Sequence, residues 1–146
     1  MNTYFLQDIG TTFSGDLVID SKGDLKLADS YETQKSLTNF WLRTDQGEYV
    51  PNPSVGCNLG SFIGEQNSAR NLSLIESQTY NILVKNIWQA EDIRVRVVPL
   101  DHQELMIALQ LKGKFANTSG NFINIIPEVI AYSFPYITAE PTPIIE

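Results

Sequence analysis

Two runs late in the chain constrain its fold more than any other feature. In 92–98, DIRVRVV, Ile93, Val95 and Val97 alternate with Arg94 and Arg96. In 104–112, ELMIALQLK, Leu105, Ile107, Leu109 and Leu111 form a second apolar row. A period of two marks a strand with one face packed and the other turned to solvent or to a partner. Immediately upstream, 68–88 sets Leu72, Ile75, Thr79, Ile82, Leu83 and Ile87 on one helical stripe, with Ser68 as a suitable cap. At 1.5 Å per residue such a helix is roughly 30 Å long, enough to lie across the sheet as the main core element.

The remaining segments arrange themselves around that unit. The run 121–134, NFINIIPEVIAYSF, is strand-like but contains Pro127, which cannot donate to a ladder, so it is bulged or lies at an edge. Asp29 or Ser30 can cap a helix over 31–43, with Leu37, Phe40 and Trp41 at helical spacing toward the core. Residues 16–29 read as a β-hairpin, with Leu17, Ile19, Leu25 and Leu27 alternating about a Ser21-Lys22-Gly23 turn. The expected fold is α+β. A single domain over 16–134 carries a small, mostly antiparallel sheet packed by a long helix and a shorter N-terminal one. An N-terminal arm (1–15, anchors Tyr4, Phe5, Leu6 and Phe13) and an extended, proline-containing tail (135–146, with Tyr136, Ile137, Ile144 and Ile145) flank it. A chain of 146 residues fits one domain and can bury enough surface to fold without a metal or disulfide.

Charge narrows the partners. The formal net charge is −7; residues 1–65 carry nine acids and four bases, and residues 66–146 eight acids and six bases. An acidic chain lacks the electrostatic footprint of a nucleic-acid binder, although Arg94, Arg96, Lys112 and Lys114 are local bases. Cys57 is the only cysteine, so no intrachain disulfide forms. The start, MNTYFLQDIG, does not read as a secretory signal, and no run approaches the roughly 18 apolar residues of a membrane span, so assembly in a cytosol without a membrane partner is expected.

The stretch 42–64, LRTDQGEYVPNPSVGCNLGSFIG, separates the two helical patterns. Its glycines and prolines imply one defined shape, with a short helical turn near 58–63. Five chemistries can be weighed for the chain. Asp16, Asp20 and Asp24 lack the order of a helix–loop–helix calcium site and suit a solvated turn. One cysteine and one histidine do not make the usual zinc sets, and a Cys57–His102 nucleophile pair requires the histidine of a hairpin turn. Glycines 56, 60 and 64 are not followed by the Lys-Ser/Thr of a phosphate loop. Asp45 and Glu48 are the carboxylate pair a glycosidase needs, yet Glu48 equally suits accepting backbone N–H groups and holding the loop. No cofactor is implied.

The order of these pieces resembles a known family. A helix is followed by Leu42-x-Thr44-x-x-Gly47-Glu48, Asn52-Pro53-x-x-Gly56-x-x-Leu59 and Ile63-Gly64. A long helix, Glu91-Asp92-x-Arg94 and a two-stranded hairpin complete the series. This resembles, over about 16–113, the small baseplate wedge family of contractile phage tails, which includes the small wedge subunit of type VI secretion baseplates and was once labelled lysozyme-like. The resemblance implies a structural, non-enzymatic virion protein of the tail baseplate, assembled in the bacterial host cytoplasm. Its implied partners are larger wedge proteins, the tail sheath protein that it nucleates by strand pairing, and tail tube or hub proteins. It implies partner contacts at Gly47, Glu48, Asn52, Pro53 and Gly56 in the loop and at Glu91 and Arg94 after the helix. The family's Glu-Pro-Arg triplet is matched here by Glu91-Asp92-Ile93-Arg94, without the proline and with altered spacing. The strands 104–113 and 121–134 would supply the sheath template. The alternatives are a peptidoglycan hydrolase using Glu48 and Asp45, and a tail subunit without a sheath role.

Overall fold

The computed structural model describes residues 3–4, 8–12, 16–102, 104–117, 119, 121–134 and 142–144, the side chains of 3–4, 124–126 and 142–144 excepted. In chain order the elements are β1 (Thr3–Tyr4), β2 (Asp8–Ile9), β3 (Leu27–Ala28), α1 (Ser30–Arg43), α2 (Ala69–Asn86), β4 (Ile93–Pro99), β5 (Leu105–Ala116), β6 (Phe122–Phe134) and β7 (Thr142–Ile144), with a 3₁₀ turn at Leu59–Phe62. The fold is α+β, a single small domain with a mostly antiparallel sheet.

β5 is the centre of that sheet. β4 pairs with it antiparallel from Ile93↔Leu111 to Pro99↔Leu105. β6 pairs on the other flank from Leu105↔Phe134 to Ala116↔Phe122. Beyond the end of β4, β1 joins the same flank in parallel, Thr3 opposite Lys114. β7 closes part of the far side of β6, Ile144 opposite Val129. Pro127 lies where the register shifts: β6 fits two residues, Ile126 and Pro127, opposite the single Lys112. The bulge removes the ladder position that proline cannot fill. The anchors Phe5, Leu6, Phe13, Tyr136, Ile137 and Ile145 lie outside the described residues.

The alternating rows set the core. Leu105, Ile107, Leu109 and Leu111 are buried to 1% exposure or less, with Ile93, Val95, Ile130, Tyr132 and Phe134 beside them on the same face. Each such aliphatic side chain contributes about 1.5–3 kcal/mol by leaving water. α2 covers this face through Ile75, Thr79 and Leu83. Its cap is Ser68, whose hydroxyl accepts from the Asn71 N–H at 3.2 Å. At the other end of the strands, Asn67 donates to the carbonyls of Asp101 and Glu104 at 2.6 and 2.7 Å and fixes the β4–β5 connection beneath the helix start.

α1 packs on the same face, but not by the stripe its apolar residues suggest. Its buried positions are Ser30, Tyr31, Thr33, Gln34, Thr38 and Leu42, whereas Phe40 is exposed and Leu37 and Trp41 are only half-buried. Cross-element hydrogen bonds explain the rotation. The buried Trp88 indole N–H donates to Thr38 Oγ1 at 2.8 Å, and Thr38 donates on to the Gln34 carbonyl at 2.8 Å. Tyr31 donates to Glu128 and Tyr132 donates to Asn39, tying α1 to β6. Burial, with the Glu128 carboxylate next, pushes both phenols up from their ordinary range, so they remain donors. The helix starts one residue earlier than expected, capped by the Asp29 carboxylate on the Glu32 N–H at 2.8 Å.

The 16–29 hairpin is also altered. Its turn forms, with Asp20 Oδ1 accepting from the N–H groups of Lys22 and Asp24, but a third segment enters. Gly10 donates to the Lys26 carbonyl, Lys26 to that of Val18 and Val18 to that of Gly10, at 2.6, 2.9 and 3.2 Å. Three short segments therefore close into a ring. Gly10 is buried in it, and a Cβ there would lie 3.1 Å from the Lys26 oxygen. Leu17, Ile19, Leu25 and Leu27 are exposed, at 44–60%.

No helix among the described residues is long and apolar enough to cross a membrane. The α1–core hydrogen bond gives a direct test. Thr38→Val keeps the volume of the side chain but removes the acceptor from a buried indole, and urea unfolding should show a loss of about 1–3 kcal/mol. A change below about 0.5 kcal/mol would mean that the apolar contacts of α1 set its rotation without that bond.

Candidate functional site

The 44–64 loop begins as a solution to the C-terminal end of α1. The last carbonyls of a helix lack internal partners. Here Thr44 Oγ1 donates to the Phe40 carbonyl at 2.6 Å, and the returning chain brings the Cys57 N–H to the Trp41 carbonyl at 2.9 Å. That return passes so close to Thr44 that a side chain on Gly56 would strike the Thr44 carbonyl, and Gly56 holds φ +128°. Only glycine meets both demands.

From this crossing the loop is fastened on two sides. The Asp45 carboxylate accepts the Gly60 N–H at 2.9 Å, across an approach so tight that a Cβ on Gly60 would collide with it. Glu48 Oε2 accepts the Asp45 N–H at 3.3 Å while the Glu48 N–H returns to the Asp45 carbonyl at 3.1 Å. Gly47 donates to the Pro53 carbonyl at 2.8 Å, and Asn52 Oδ1 accepts both the N–H and the hydroxyl of Ser54. On the other side Gln78 of α2 reaches out to the Cys57 carbonyl at 2.6 Å. Val55, Cys57 and Leu59 then anchor the loop in the core.

The outcome is a rigid base with an exposed tip. Gly47, Glu48, Asn52 and Pro53 are all exposed on the 46–54 tip, whereas Gly56 is buried and serves the loop from inside. The tip also carries apolar surface that the sequence reading did not select. Val50 is 82% exposed, and Tyr49 stacks edge-on against Phe40 at 5.4 Å with both rings about 41% exposed. The signal available was the YVP triplet, three poorly solvated residues at the apex of a turn. Exposed aromatic and aliphatic groups on a stiff support suit a protein contact.

Glu91 and Arg94 lie elsewhere, in the turn before β4 and on β4 itself, both exposed. They do not form the ion pair that their spacing allows. Asp92 between them is buried, and alternation with the buried Ile93 and Val95 puts Arg94 on the sheet face opposite the helices.

The central acids bond to the loop that carries them, and the thiol is sealed beneath it. Asp45 and Glu48 each use a carboxylate oxygen to hold loop backbone. Cys57 has no exposure, and burial pushes its thiol up to about 12. His102 sits apart, on the exposed β4–β5 connection.

These assignments can be measured. Gly47→Ala meets nothing within 4 Å and bears only the strain of φ +96°, so it should cost about 1–2 kcal/mol in urea unfolding. Gly56→Ala adds a backbone collision and should cost more than about 3 kcal/mol. Equal losses would contradict the crossing geometry. For Cys57, a folded pKa above the unfolded one favours the protonated thiol. Its contribution to stability is complete below about 9 and is lost as pH rises toward about 12. Native protein at pH 8 should therefore resist a thiol reagent such as dithionitrobenzoate, and react fully once unfolded in urea; rapid native labelling would refute the sealed site. No family model matches this chain, and no curated protein matches it by sequence.

Proposed function

We propose that this protein is a non-enzymatic structural subunit of a contractile, phage-tail-like baseplate, joining wedge proteins through its central loop and offering a strand edge on which a sheath starts. The observation that carries the reading is the 44–64 loop. It is held rigid by its own backbone and lifts Tyr49 and Val50 into solvent beside Phe40. A preformed apolar knob loses little conformational freedom on docking. The motif resemblance at Gly47, Glu48, Asn52, Pro53 and Gly56 falls on the residues that shape this loop.

The template edge differs from the one expected. β5 is paired on both flanks, so residues 104–113 offer no free backbone. On β6, among the described residues, β7 pairs only with Val129–Ala131, and the long open edge is that of β4. Asp92 accepts the Lys112 N–H, so even-numbered residues of this run bond inward and Ile93, Val95 and Val97 direct their backbone groups outward. An added strand gains main-chain hydrogen bonds there, with alternate side chains supplying selectivity.

The hydrolase reading is weakened by the use of Asp45 and Glu48 to hold loop backbone. Reconstruction of assembled tails should place the chain in the baseplate with the 46–54 tip in an interface. Tyr49→Ala combined with Val50→Asp should leave the melting temperature within about 2 °C and reduce incorporation into particles at least about ten-fold. Normal incorporation of that variant would remove the loop from the interface. Clearing of a cell-wall gel by the wild type but not by Glu48→Gln would replace the structural reading with the enzymatic one.

A further inference from the structure

The cations of this chain are segregated. Arg94 and Arg96 on β4 and Lys112 and Lys114 on β5 share the sheet face opposite the helices, by the register Arg94↔Gln110 and Arg96↔Ala108 and by the inward burial of Leu111 and Phe115. None of the other described side chains on that face of β4, β5 and β6, from Val98 and Met106 to Phe122 and Ser133, is a carboxylate. The chain has 10 Lys or Arg against 17 Asp or Glu; setting aside these four leaves six against 17. One sheet face is basic on an otherwise strongly acidic body.

A groove of about 680 Å³ runs from this face over the β4 edge to α2, its walls including Glu76, Tyr80, Arg94, Arg96, Ala108 and Val129. Neither guanidinium is ion-paired among the described residues. The outward Val97 N–H is met only by the Glu76 carboxylate at a long 3.4 Å, so an entering strand displaces a weak bond.

We infer that this groove takes an acidic extended segment of another protein, carboxylates on alternate residues and apolar side chains between them, added as a strand to β4. This rests on the structural-subunit reading above and names the chemistry of its partner. Residues two apart in a strand are roughly 6.6–6.8 Å apart, so carboxylates at i and i+2 meet Arg94 and Arg96 in turn, each in the geometry that favours paired Arg–carboxylate hydrogen bonds. The intervening apolar residues face α2 and Tyr80. A nucleic acid fits less well, because it has no peptide backbone to pair with the outward N–H and C=O groups of Ile93, Val95 and Val97. A second copy fits less well too, since pairing β4 with itself would set Arg94 and Arg96 against their own counterparts.

The test uses the full chain and a fluorescein-labelled peptide of alternating glutamate and valine, read by anisotropy. Its controls are a peptide of the same composition with the glutamates in one block, a lysine–valine peptide, and labelled oligothymidylate. The alternating acidic peptide should bind at least about ten-fold tighter than the block peptide and weaken as salt rises. Arg94→Glu with Arg96→Glu, both exposed and checked for an unchanged circular dichroism spectrum, should lose that peptide and gain the lysine one. Equal binding of the two acidic peptides, retention of binding by the double variant, or tighter binding of oligothymidylate would each overturn the inference. So would self-association that the same double substitution abolishes, because the face would then belong to another copy. Any of these results leaves the loop-mediated baseplate reading to be judged by particle reconstruction.

Discussion

Pairing of β5 along both flanks is the constraint from which the rest of the structure descends. A strand bonded on both sides cannot slip by one residue without turning its whole apolar row to solvent. Leu105, Ile107, Leu109 and Leu111 thereby fix one face as core. Both α1 and α2 then pack on that face, because it is where apolar surface remains to be covered. The opposite face is left without a helix, and the residues that alternate with the leucines become its surface. The basic face is in this sense a by-product of the core: Arg94, Arg96, Lys112 and Lys114 are where they are because their neighbours had to be buried.

The loop depends on the same scaffold by a different route. α1 ends at Arg43, and its terminal carbonyls need donors in a partly buried place. The returning Cys57 N–H supplies one, which draws residues 55–59 into the core and leaves 46–54 to project. Closing the loop costs little beyond its chain entropy, which grows slowly with length. What it gains is stiffness from a few bonds between Asp45, Glu48, Gly60 and Gln78. A surface knob that is already ordered can bind without first losing many conformations.

Much of this was legible in the sequence, and the exceptions have physical causes. Strict alternation at 92–98 and 104–112 identified the strands and their inward faces, since period two leaves no ambiguity once one face is apolar. The long helix and its Ser68 cap were visible for similar reasons. α1 was misoriented because an apolar count ignores hydrogen bonds. Thr38 and Tyr31 are buried by partners, Trp88 and Glu128, that lie 50 and 97 residues away. The hairpin at 16–29 was legible from its alternation, but the third segment at Gly10 that joins it was not, because no local pattern encodes a pairing between distant segments. At the site, the shaping residues Gly47 and Gly56 stood out, but the exposed apolar residues Tyr49 and Val50 did not. Exposure of an apolar side chain is decided by where the loop stops, and no local pattern encodes that. The four cations were noticed singly, and only the register shows that they share a face.

If the chain works as the structural subunit proposed above, charge segregation also sets an order of assembly. With a net charge of −7, the body of the protein repels an acidic segment at long range. At physiological salt the Debye length is about 8 Å, so Arg94 and Arg96 attract only what is already near them. Such an edge is a poor first contact and a good second one. The tip at Tyr49 and Val50 docks by apolar contact, which needs no charge complement, and on the proposed reading it engages first. The tethered neighbour then supplies the strand at high local concentration. Until that moment β4 is protected from pairing with stray chains, by Glu76 on the Val97 amide and by arginines that oppose a second β4. On the proposed reading, an open sheet edge is thereby tolerated in the free protein and is filled once a neighbour's strand arrives.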